Sequence, residues 1–242
     1  MKIYTYYHEI HKGKASDYQK KIIDLWKLSW IKNGFDPIVL GLADALAHPL
    51  FYKFKNEIEK IHLEITGAPI STYGSSCFIR WLAYANQNNE DPFYVSDYDI
   101  INKNFKPKNL QKTNDKILFL DTLCPSIAIG KSSQFLSFCN DIIDESRDER
   151  ILKSFKEEKL RNYHDQDFLF LKFSIKTLDY NLGNYDICTP REHVSLYFKD
   201  DPEIEKYQIL HVSHSCCGMQ KEKFPDLNEA EIRLLLIEKL LE

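Results

Sequence analysis

The chain has 242 residues, of which 43% are hydrophobic and 13% aromatic, and a formal net charge of −4. That length suits one α/β domain with a well-buried core and is short for two. Eight glycines and nine prolines exclude low-complexity linkers, and the lack of a basic excess excludes a nucleic-acid partner.

Six cysteines, at 77, 124, 139, 188, 216 and 217, are irregularly spaced, which fits reduced thiols in a cytoplasmic protein. Met1 to His8 lacks the apolar core of a signal peptide. No run approaches the roughly 20 apolar residues of a transmembrane span.

In chain order, Ile3 to Tyr7 reads as a first strand ending in tyrosines and His8. Ser16, with Gln19 three residues on, forms a capping-box pattern for a helix that Asn33-Gly34 stops. Ile38-Val39-Leu40 is a second strand, and the strand, helix, strand order opens an α/β sheet with right-handed crossovers. Leu50 to Leu63 has helical spacing, and Cys77 to Tyr84 forms an apolar helix carrying Arg80 and beginning near Ser75.

Next comes Phe93-Tyr94-Val95-Ser96-Asp97-Tyr98-Asp99, an apolar strand that delivers two carboxylates to its own end. In an extended chain Asp97 and Asp99 point the same way, roughly 7 Å apart. Hard cations such as Mn²⁺ or Mg²⁺ take carboxylate oxygens and keep positions open for phosphate oxygens, so the pair is a candidate metal site. The plain alternative is a solvated turn after a strand.

The Lys- and Asn-rich stretch from Asn102 to Lys116 reads as a loop, either a lid beside the metal site or a plain connection. Ile117 to Leu120 is a strand, Cys124 to Gly130 a compact apolar segment and Ser132 to Ile143 a helix; Asp144 to Arg161 reads as an exposed helix. Asp165-Gln166-Asp167 opens a further helix, where acids are favoured in the first turn. Tyr207 to Leu210 is a late strand running into His211 and His214, and Asn228 with Glu231 caps a final amphipathic helix. That helix suits packing on the domain, with peripheral membrane contact as the other use of such a face.

An Arg-bearing helix, an apolar strand ending in Asp-x-Asp and a later Asp-Gln-Asp, in this order and spacing, resemble the GT-A class of nucleotide-sugar-dependent glycosyltransferases. The resemblance implies one GT-A-like, Rossmann-related domain over residues 1–242, with a mixed, mostly parallel sheet flanked by helices. It also implies a nucleoside diphosphate sugar donor, a hydroxyl acceptor on a glycan or glycolipid, and a divalent cation held by Asp97, Asp99 and a strand-end histidine, His211 or His214. Arg80 matches the helix arginine that reaches the donor's diphosphate or sugar, and Asp165-Gln166 the catalytic acid-Gln pair beside the sugar. The carboxylate of that pair is a general base on the acceptor hydroxyl in an inverting enzyme, and in a retaining one it binds the sugar or steadies a cationic transition state. By position, Ser126 and Gly130 match the segment that shapes the donor and acceptor pocket. Since ligands gather beyond the carboxyl ends of strands in open α/β sheets, Tyr6 and Tyr7 are candidates to pack on the nucleotide base.

The chain departs from the family pattern at Ser96, where an apolar residue is usual, and after the histidine, where Gly218-Met219-Gln220-Lys221 stands in place of a Lys-Pro-Trp-like ending and leaves Lys221 as the candidate for its diphosphate contact. Cys216-Cys217 beside the histidines lacks the second pair that a zinc site needs. Two other readings compete: a sugar-phosphate nucleotidyltransferase, against which the loop His11-Lys12-Gly13-Lys14 holds a single glycine, and a non-catalytic nucleotide-sugar-binding module.

Overall fold

The computed structural model describes residues 1–10, 12–107, 116–121, 124–158, 160–182 and 207–241, without the side chains of Ser215 and Met219. Strand β1 (Lys2–Tyr6) leads through α1 (Lys14–Lys32) to β2 (Asp36–Leu40), then to helices α2 (Leu42–Leu46), α3 (Phe51–Thr66) and α4 (Thr72–Ala85). Strands β3 (Phe93–Ser96), β4 (Ile100–Asn102), β5 (Leu118–Asp121) and β6 (Cys124–Gly130) follow, and then helices α5 (Ser132–Glu145), α6 (Glu149–Glu157) and α7 (Asp165–Ser174). The chain closes with β7 (Asn181–Leu182), β8 (Ile209–His211), α8 (His214–Gln220) and α9 (Glu229–Leu241).

Among the described residues, six strands form one sheet in the order β2-β1-β3-β6-β5-β7. Only β6 opposes the others, pairing antiparallel with β3 and β5, so the sheet is mixed and mostly parallel as expected. Side chains alternate between two buried faces. Phe93 and Val95 join Trp81, Phe135 and Phe138 under α4 and α5, while Tyr94, between them, joins Trp26 and Trp30 of α1 on the other face. A separate antiparallel ribbon, β4 with β8, sets Ile100 opposite His211. It packs with α1, α8 and α9 in a third cluster through Ile22, Ile101, Leu210, Cys216 and Ile232.

Several local readings shift. Helix α1 starts two residues before Ser16, with Gly13 at the N-cap in the left-handed region at φ 65°, and the Ser16 hydroxyl turns back to Glu9 instead of capping. Helix α4 begins at Thr72, capped by Ser71, whose Oγ accepts the Gly74 N–H at 3.0 Å. The Cys124 to Gly130 segment is the antiparallel strand β6, and α6 buries Ile151 and Phe155. The box on α9 forms as read: the Asn228 N–H donates to Glu231 Oε2 at 2.7 Å and the Glu231 N–H to Asn228 Oδ1 at 3.0 Å. Residues 108–115 of the lid reading lie outside the described residues.

Candidate functional site

Strand β3 stops at Ser96, and the chain turns at once. The Asp97 N–H donates to the Ser126 carbonyl of β6 at 2.7 Å, and the Ile100 N–H closes back on the Asp97 carbonyl at 3.1 Å. The two carboxylates therefore share a side because of a tight turn, not because of alternation along an extended strand. Ser96 is buried, and its Oγ accepts the Trp26 indole N–H at 2.9 Å, which accounts for a hydroxyl where an apolar side chain is usual.

The β4–β8 ribbon carries His211 to the same point, helped by the Val212 N–H donating to the Asp99 carbonyl at 2.9 Å. Ligand atoms of Asp97, Asp99 and His211 all lie within 4.8 Å of one another. His211 Nδ1 sits 2.8 Å from Asp121 Oδ2, and its Nε2 faces Asp99 Oδ1 at 3.8 Å. In the neutral imidazole, a proton on Nδ1 held by the Asp121 carboxylate leaves the Nε2 lone pair toward the two acids, the arrangement common to metal-ligating histidines. Burial alone would depress the imidazole, but Asp121, Asp99 and Asp97 together carry it above its ordinary value.

Asp121 escaped the sequence reading, although it ends β5 as Asp97 follows β3. It also receives the Ser126 hydroxyl and, with Cys124 and His211, forms a second group of donors within 4.8 Å.

Arg80 crosses the floor of the site. Its Nη1 contacts Asp97 Oδ1, while Nε and Nη2 donate to Asp165 Oδ2 at 3.0 and 2.6 Å. Trp81 Nε1 adds a third donor to that oxygen at 2.8 Å, and the Gln166 N–H takes Asp165 Oδ1 at 2.9 Å. Asp165 is 2% exposed, so both of its oxygens are engaged inside the protein. Burial pushes the Asp97 carboxyl up to about 6 against the pull of Arg80, and Asp99 adds to the rise.

Asp167, two residues on, does the capping: its Oδ2 accepts the His164 N–H at 3.0 Å and pairs with His164 Nδ1 at 2.6 Å. Gln166 is half-buried in the first turn of α7.

A second guanidinium, unforeseen from the sequence, reaches the site from α9. Arg233 lies with Nη1 3.6 Å from Asp99 Oδ2 and Nη2 2.9 Å from Glu229 Oε1.

Other candidates fall elsewhere. Tyr6 is in the core, and Tyr7 is half-buried at the strand's end, edge-on to Tyr98 at 5.9 Å. Ser126 lies behind the two acids, on Asp121. Gly130 pairs with Phe93, at the opposite end of β3 from Asp97, because β6 runs antiparallel and its last residue leaves the site. His214 is exposed, turned to Glu229 and, at 3.4 Å, to the Tyr73 hydroxyl, so His211 is the histidine that joins the acids. Lys221 donates to the Pro225 and Leu227 carbonyls of its own loop. Cys216 and Cys217 belong to the third core cluster, their thiols pushed by burial up to about 12 and about 11.

Among the described residues no helix is long and apolar enough to cross a membrane. Residues 1–90 match a family described as "Domain of unknown function (DUF8765)". No curated protein sequence matches the chain significantly. Among solved structures, the galactosyltransferase LgtC in complex with donor and acceptor sugar analogs is similar over 96% of this chain and 95% of its own, at 12% identity and a TM-score of 0.48. The apo-form glycosyltransferase GlyE of Streptococcus pneumoniae TIGR4 is similar over 100% of this chain and 64% of its own, at 11% identity and a TM-score of 0.46. A glycosyltransferase involved in glycosylation of the major capsid of PBCV-1 is similar over 97% of this chain and 98% of its own, at 10% identity and a TM-score of 0.43. All three are likenesses of fold.

Proposed function

We propose that the chain transfers a sugar from a nucleoside diphosphate sugar to a hydroxyl acceptor, with a divalent cation, Mn²⁺ or Mg²⁺, held by Asp97, Asp99 and His211. The observation that carries the reading is the convergence of these three side chains at the carboxyl end of β3, within 4.8 Å of one another. Asp99 Oδ1 fits such an ion: it is buried and has no hydrogen-bond partner among the described residues, which is costly unless a ligand supplies one. Two carboxylates and an imidazole are a donor set for a borderline-hard divalent ion that retains sites for phosphate oxygens. When bound, that ion neutralises charge growing on the departing diphosphate.

The protein's own groups divide the remaining work. Arg80, always charged and fixed at both ends, presents a cation beside Asp97 where donor phosphate or sugar oxygens would lie. Asp165 acts through Arg80: three N–H groups already converge on one of its oxygens, leaving it poorly placed to take a proton from an acceptor. Gln166 is then the member of the pair that reaches the sugar. Tyr7, beside Tyr98, offers the base an aromatic edge. The acceptor is a glycan or glycolipid hydroxyl.

Calorimetric titration of the intact chain with a panel of nucleoside diphosphates, with and without Mn²⁺, followed by assays for donor hydrolysis, tests the proposal. Metal-dependent binding of a nucleoside diphosphate and slow release of free sugar are expected. Binding without turnover by any donor would favour a non-catalytic module, and no binding at all would refute the reading.

A further inference from the structure

Helix α9 is anchored by Ile232, Leu236 and Ile237 in the cluster it shares with α1, α8 and the β4–β8 ribbon. Its Arg233 lies on the inner side, 4% exposed. The guanidinium is held between two acids, Glu229 one turn earlier on the same helix and Asp99 across the gap. Its Nε has no hydrogen-bond partner among the described residues, and the Cys217 thiol contacts the guanidinium beside the two acids.

The division of labour on Asp99 is what matters. One carboxylate oxygen, Oδ2, faces Arg233 Nη1 at 3.6 Å; the other, Oδ1, faces His211 Nε2 at 3.8 Å and is buried without a hydrogen-bond partner. A carboxylate turns about its terminal bond with little resistance unless one oxygen is fixed. We propose that Arg233 is the positioning residue of the cation site: by holding Asp99 through one oxygen it aims the other at the ion. The inference rests on the cation site proposed above. It ties the site to α9, which packs against α1 and α8.

Simple repulsion argues the opposite sign. A fixed positive charge next to a ligand oxygen disfavours a second cation, so deleting it should tighten metal binding if charge were all that counted. Orientation wins where outer groups fix the ligands, and losing such a group typically costs about 10–100-fold in metal affinity.

The test is titration of the full chain with Mn²⁺ alone, followed by the loss of the free-ion electron paramagnetic resonance signal, for the parent, Arg233→Met and Arg233→Lys. Arg233→Met should bind Mn²⁺ about 10–100-fold more weakly. Arg233→Lys, which keeps the charge but cannot span both acids, should also bind more weakly than the parent. A folded Arg233→Met that binds Mn²⁺ as tightly as the parent, or more tightly, overturns the proposal, and a lower melting temperature with unchanged affinity assigns Arg233 a structural role only. Should Arg233→Met not fold, Glu229→Gln frees the far end of the guanidinium; weaker Mn²⁺ binding supports the inference and equal binding overturns it. A parent chain that binds no Mn²⁺ overturns the cation site itself, a failure distinct from that of Arg233.

Discussion

Arg80 donates through Nε and Nη2 to a single oxygen of Asp165, at 3.0 and 2.6 Å, and reaches Asp97 with the opposite end of its guanidinium. Arg80, on α4, thereby joins Asp165 in the first turn of α7, 85 residues further along the chain, to Asp97 just past β3. Asp165 is almost wholly buried, and Arg80 is buried with it. Removing the acid leaves the buried Arg80 guanidinium with Asp97 as its remaining acid and takes the partner of the Trp81 indole N–H away. Asp165→Ala should therefore lose about 3–5 kcal/mol of stability, read as a fall in the denaturant midpoint. Asp165→Asn, melting near the parent while retaining its donor turnover, would show that the carboxylate matters to neither Arg80 nor the site.

Asp97→Asn and Asp99→Asn address the cation directly. Each keeps the shape of its side chain and removes an anionic ligand, so Mn²⁺-dependent affinity for a nucleoside diphosphate should fall by at least about tenfold while metal-independent binding changes less. Equal Mn²⁺ dependence in either variant and the parent, measured by calorimetry, would place the ion elsewhere.

Much of this site is legible in the sequence for one physical reason. An apolar strand that ends in a carboxylate or imidazole exports its charge to the rim of the sheet, as Asp97, Asp99 and His211 do. The same rule applies to Asp121, after Leu118 to Leu120, and went unused. Other contacts depend on geometry that no local pattern encodes. Gly130 is adjacent in sequence to a site segment, yet the reversed direction of β6 carries it to the far end of β3. Tyr6 and Tyr7 differ by one residue, and alternation puts Tyr6 in the core. Arg233 reads as one more charge on an amphipathic helix, and only the packing of α9 against α1 and the ribbon turns it toward Asp99.

Gly130 offers a control on that point. A Cβ there would meet Phe135 Cζ at 3.2 Å, Gln134 Oε1 at 3.3 Å and Ile117 Cγ1 at 3.4 Å, a tight fit under α5. Gly130→Ala should cost about 1–3 kcal/mol through overpacking and leave nucleoside diphosphate affinity unchanged. A loss of affinity in a variant of parental stability would return Gly130 to the binding site.

The cap of α7 gives a prediction in pH. Burial opposes protonation of His164, but its bond and charge pairing with Asp167 outweigh that and raise the imidazole above its ordinary value. The folded chain therefore binds this proton more tightly than the unfolded chain, so the pair's contribution is fully present below the unfolded value, near 6.5, and is lost as pH rises through the higher folded value. Partly exposed ion pairs and helix-end charges are worth at most about 1 kcal/mol. For a chain of this size that is about 2–4 °C in melting temperature. Melting the parent and His164→Gln from pH 5.5 to 8.5 should give a difference of about that size at the acidic end, closing toward the alkaline end. A difference that is constant with pH, or that widens as pH rises, would mean that His164 caps the helix without its charge and that Asp167 contributes through the backbone hydrogen bond alone.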